Sequence, residues 1–169
     1  MGASNSQFDQ MLAHAQDTRS FIHDLAAHYS KEERCAMRTD KAYTDAFINR
    51  TVNNILYIAS HHFKRHPSVH AVPSYAELPN TFIFRASLCA YLLALDWVAN
   101  GGVQDAAPAT LRNDLVDVNF AAYSTYFDGL LTADKKPRRL QREARVWLIA
   151  LFDCKLPGGL GYDPKTHEA

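Results

Sequence analysis

Residues 113–136 read Asn113-Asp114-Leu115-Val116-Asp117-Val118-Asn119-Phe120-Ala121-Ala122-Tyr123-Ser124-Thr125-Tyr126-Phe127-Asp128-Gly129-Leu130-Leu131-Thr132-Ala133-Asp134-Lys135-Lys136. The spacing predicts a helix opened by Asn113 and running to about Tyr126. Gly129 then precedes a short apolar run, Leu130-Leu131-Thr132, which is the chain's best strand candidate. Asp134 stands just past it, where the strand ends of α/β folds present ligand-binding residues. From Asp105 to Asp134 there are five acids and one base, Arg112; Lys135 to Arg145 holds six bases and one acid, Glu143. Charge that balances over the whole chain therefore separates sharply at this point.

Outside this stretch the pattern is helical. Apolar residues recur at helical spacing from Ser6 to Tyr29 and again from Tyr43 to His62, where Pro67 forms a stop. Ser30-Lys31-Glu32-Glu33 is a capping box. Residues 67–79, with Pro67, Pro73 and Pro79, read as a loop. Asn80 or Thr81 caps an apolar helix that ends before Gly101-Gly102, and residues 103–109 form a second loop. Pro137 suits a first helical position, and that helix runs to about Asp153. The expected organisation is one mostly helical domain over residues 1–155, with a loose tail over 156–169.

Composition narrows the class. At 169 residues, 47% hydrophobic and 21% charged, the chain is neither disordered nor low in complexity. Lys+Arg and Asp+Glu are equal at 18, so any steering of a charged partner is local. Cys35, Cys89 and Cys154 form no C-x-x-C pair and sit among apolar neighbours, the pattern of buried free thiols in a reducing cytoplasm. The polar N-terminus lacks a signal-peptide pattern. Residues 82–99 are apolar but contain Arg85 and Asp96, so they read as a core helix and no membrane association is expected.

Asp114 and Asp117 are i and i+3 on one helix, so they project from one face. If the fold adds Asp134, three carboxylates need a divalent cation between them. Hard oxygen ligands suit Mg²⁺ or Mn²⁺, which can orient water for attack on a phosphodiester. Arg138, Arg142 and Arg145 share one face of the next helix, with Leu140, Ala144, Trp147 and Leu151 opposite. With Lys135 and Lys136 they make a basic stripe suited to a phosphate backbone. The simpler reading is that Asp114 and Asp117 complement a helix dipole, Asp134 is a turn residue, and the arginines are solvated. His62 and His66 have a zinc-compatible i, i+4 spacing, but Lys64 and Arg65 oppose a cation there. His61 to His66 reads instead as a helix C-terminus or a second phosphate-contact patch. No nucleophile elbow, dinucleotide loop or Walker loop is present. Tyr75, Tyr91, Tyr123 and Tyr126 have rings that can stack bases. At helical spacing Tyr123, Tyr126 and Phe127 read as core.

The run Asn113-Asp114-x-x-Asp117, then Phe127-Asp128-Gly129 and Leu131-Thr132-Ala133-Asp134-Lys135, resembles the C-terminal half of PIN-like nuclease domains. The resemblance implies an α/β fold with a small parallel sheet, predominantly helical here and truncated or divergent. It implies metal-dependent cleavage of RNA, with Asp114, Asp117 and Asp134 as catalytic metal-site acids and Thr132 as a brace for the last of them. Two features depart from the family pattern. No hydrophobic strand ending in an acid precedes the 6–29 helix, and no residue is marked as the central acid. A partner chain or a second copy would then complete the site. The alternative is a degenerate, non-catalytic helical module for nucleic-acid or protein interaction.

Overall fold

The computed structural model describes residues 17–39, 42–69 and 71–157. Helix α1 covers 17–27 within the described residues, followed by α2 (Lys31–Arg38), α3 (Asp45–Arg65), α4 (Phe82–Ala99), α5 (Pro108–Ser124) and α6 (Lys135–Phe152). A single 3₁₀ turn, Leu78–Asn80, precedes α4. Residues 6–16 of the expected first helix, and most of the expected tail, lie outside the described residues.

Helix ends follow local chemistry. The Ser30 hydroxyl accepts the Glu33 amide, and the Glu33 carboxylate accepts the Ser30 amide, closing the capping box that opens α2. Arg34 caps the end of α1 from the other side, donating to the carbonyls of Ala26 and Tyr29. Thr81, not Asn80, caps α4 by accepting the Phe84 amide. At the far end Gly102 donates to the Trp97 carbonyl at 2.8 Å and Gly101 to that of Val98, with both glycines at positive φ. This is a Schellman closure, which a residue with a Cβ rarely adopts. Helix α5 begins at Pro108, five residues before Asn113, because a proline at the first helical position sacrifices no hydrogen bond.

The expected parallel sheet is absent: the described residues are helix, turn and coil, with no strand. The α/β PIN-like architecture is therefore not the fold of this chain. Leu130-Leu131-Thr132 is coil. A strand must hydrogen-bond to a neighbour, and the described residues offer no second strand. Arginines of α6 take the place of a ladder. Arg145 donates to the Phe127 carbonyl at 2.9 Å and Arg138 to that of Thr132. Leu131, expected as a sheet residue, is fully exposed.

The chain divides into two units, residues 1–54 with 90–116, and residues 55–89 with 117–169. In the first, Ile22 and Leu25 of α1 and Tyr29 just beyond it are buried, as are Phe47 of α3 and Tyr91 and Val98 of α4. Its interior is partly polar. The Tyr91 hydroxyl accepts from Asn54 at 2.8 Å and shares a hydrogen bond with the Tyr29 hydroxyl at 3.0 Å. Burial, then the Tyr91 contact, pushes the Tyr29 hydroxyl well above the usual tyrosine range. The Arg50 guanidinium lies 4.1 Å from the Tyr29 ring centroid and bonds the Glu33 carboxylate at 2.6 Å. In the second unit, Phe84 and Leu88 of α4 are buried, as are Ala121 of α5 and Leu140, Trp147 and Leu148 of α6. Phe152 packs edge-on against Phe84, with centroids 5.3 Å apart.

Glu33 gives a pH-dependent expectation. Its carboxyl is held below the ordinary glutamate range, first by the Ser30 amide and then by Arg50. A depressed carboxylate stabilises the fold above its unfolded pKa of about 4.3, and that stabilisation is lost as pH falls through the folded value. Glu33→Gln keeps the capping box but removes the charge facing Arg50. Its cost should be about 0.2–1 kcal/mol at neutral pH. Urea midpoints of the two proteins should converge below about pH 4. A gap that widens on acidification would contradict this.

Candidate nucleic-acid interface

The acids implied by the resemblance have separate structural settings. Asp114 is 3% exposed and accepts the Trp97 indole N–H at 2.8 Å. Because α5 begins at Pro108, Asp114 lies past the first turn, where the helix dipole favours acids. It faces inward, towards an indole of its own unit. Asp117 is half-buried on the same helix. Asp134 is exposed and caps α6, its carboxylate accepting the Lys136 amide at 2.9 Å. Thr132 does touch Asp134, but its hydroxyl accepts the backbone amide, at 3.1 Å, and not the carboxylate. Among the described residues no three His, Cys, Asp or Glu side chains form a group able to hold a metal ion. His61 and His62 pack edge to face, and the described histidines add no such group.

The basic residues divide into anchors and displayed groups. Arg145 is 4% exposed; it holds the Phe127 carbonyl and that of Pro157. Burial pulls its guanidinium below the usual arginine range. Arg138 is exposed but bonds the Thr132 carbonyl. Arg139 pairs with Glu143 at 3.8 Å. Lys135 and Arg142 are exposed, Lys136 half so. The segment 127–132 therefore runs beside α6 with Phe127 at the level of Arg145 and Thr132 at that of Arg138. Arg142 lies between them on the same face.

Two features escape the sequence reading. Tyr123 and Phe127, expected as core, are 56% and 64% exposed, and Phe120 is 57% exposed. Only Tyr126 of the expected core trio is partly covered; its ring receives the Arg85 guanidinium at 3.6 Å. Arg85, read only as a charge within an apolar helix, is buried, with Nε on the Pro79 carbonyl and Nη1 on the Thr125 hydroxyl. Of the other tyrosines with rings suited to stacking, Tyr91 is fully buried and Tyr75 packs on Phe152 at 4.7 Å. The thiols differ too. Cys89 is buried, and burial pushes it up to about 12, whereas Cys35 is exposed.

No protein-family model matches the sequence, and no significant match appears among curated proteins or solved structures.

Proposed function

We propose that this chain is a non-catalytic helical module that binds RNA, with Lys135, Lys136 and Arg142 of α6 contacting phosphates. The observation that supports this reading most is that Lys135 and Arg142 stand exposed on α6, with Lys136 half so. Arg138 and Arg145 serve by holding the 127–132 segment against α6. A catalytic reading needs the three acids around Mg²⁺ or Mn²⁺. It has less support, because Asp114 is buried on an indole and Asp134 is engaged as a helix cap.

The test uses labelled single-stranded RNA with and without Mn²⁺. Binding without cleavage is expected, equal in the wild type and Asp134→Asn. Lys135→Ala with Arg142→Ala should weaken binding and flatten its salt dependence. For single strands the slope of log K against log salt is about −0.7 per phosphate neutralised, so the double variant should lose about 1.4. Absence of binding at low salt would remove the module reading. Mn²⁺-dependent cleavage lost in Asp134→Asn would restore the enzyme reading in its place.

A further inference from the structure

Phe120, Tyr123 and Phe127 form an exposed aromatic row in the same unit as α6. Exposing three large rings in sequence is costly. Each ring forgoes burial, at about 25 cal/mol for every Å² of apolar surface left in water. Phe120 and Tyr123 are i and i+3, so they share a face of α5 and lie ~4.5 Å apart along its axis at ~1.5 Å per residue. Phe127 follows after a tight turn, in which the amides of Thr125, Tyr126 and Phe127 each bond a carbonyl three residues back. The row is held in place. The Tyr123 ring stacks on Phe82 at 4.2 Å and 29°, and the Phe127 backbone is fixed by Arg145.

At its Phe127 end the row borders positive charge. Segment 127–132 lies along the arginine face of α6, so Phe127 is next to the side on which exposed Arg142 stands. Arg142 has no hydrogen bond or ion pair with the described residues. The only acids in that segment and its cap are Asp128, which attracts Arg145, and Asp134, whose carboxylate is bonded to the Lys136 amide. Rings beside cations are what a single strand with unpaired bases requires. Each base has a face to stack on a ring, while its phosphates meet the cations.

We infer that Phe120, Tyr123 and Phe127 are a base-stacking platform, and that the ligand of this module is a single strand, with duplex excluded. The inference rests on the RNA-binding reading above and adds the strand state and the contact residues.

The experiment titrates the full chain with three labelled probes: a short oligouridine, a blunt RNA duplex of equal length, and a strand of equal length lacking bases. Oligouridine should bind about tenfold more tightly than the other two. Phe120→Leu and Phe127→Leu remove the aromatic face from exposed positions and keep much of the apolar volume. Each should weaken oligouridine binding roughly fivefold to tenfold, and leave the baseless strand unaffected. Circular dichroism should show both variants folded. Equal binding of oligouridine and the baseless strand would overturn the platform while leaving phosphate binding by α6 intact. Wild-type affinity in both leucine variants would overturn it too. Self-association of the wild type that Phe120→Leu abolishes would assign the row to a second copy of the chain, and overturn it. Failure of all three probes to bind would remove both readings together.

Discussion

Tyr91→Ala should lower the stability of the first unit by about 4 kcal/mol, within the ~3–5 kcal/mol range for deleting a buried aromatic ring. The side chain is fully buried and its hydroxyl joins two partners, Asn54 and Tyr29. The ring and the hydroxyl are separable. Tyr91→Phe keeps the ring and strands the Tyr29 hydroxyl and the Asn54 amide, which should cost about 2 kcal/mol. Tyr29→Phe alone should cost less, because Asn54 still satisfies Tyr91. The double variant Tyr29→Phe, Tyr91→Phe should be less destabilised than the sum of the two, since removing both partners of a buried hydrogen bond costs little. Urea unfolding of the four proteins gives the coupling directly. Strict additivity would mean that the two hydroxyls do not support one another.

Arg85→Ala should be comparably damaging in the second unit, at about 3 kcal/mol. Two opposed effects decide the sign. Burial penalises the guanidinium and pulls it below the usual arginine range. No carboxylate pairs with it among the described residues. Deleting it relieves that penalty. Against this stand two hydrogen bonds from a charged donor, worth about 1.5–3 kcal/mol each, and a desolvated contact with the Tyr126 ring, worth about 2 kcal/mol. The losses exceed the relief, and alanine adds a cavity. Arg85→Met fills that cavity and removes the charge, so it should cost about half as much as alanine. If methionine is as harmful as alanine, hydrogen bonding and not packing is the main role of Arg85. If methionine is stabilising, the buried charge is the dominant cost.

Much of the helical framework is legible because its signals are local. Ser30 and Glu33 meet within one turn, and Gly101-Gly102 lies where α4 must close its carbonyls. Thr81 differs from Asn80 by one position, a choice settled by which side-chain oxygen reaches the Phe84 amide. Leu130-Leu131-Thr132 is the counterexample. Its apolar run after a glycine has strand character, yet a strand exists only with a neighbour. Here the α6 arginines take the carbonyls that a neighbour would have taken.

The candidate site divides along the same line. Sequence shows that Asp114 and Asp117 share a helix face, that Arg138, Arg142 and Arg145 share another, and that acids precede bases. It cannot show which way either face is turned. Tertiary packing turns Asp114 onto Trp97 and Arg145 onto two backbone carbonyls, and leaves Phe120, Tyr123 and Phe127 in water. By itself, then, the sequence determined the capping box that opens α2, the glycine stop of α4, the charge division at residues 134–135 and the residues on each helical face, but not the start of α5, which lies five residues before Asn113. Only the tertiary structure decided which face is buried and that the described residues form no sheet. Caps and periodicity depend on neighbours a few residues away, whereas burial and strand pairing depend on what the rest of the chain brings alongside.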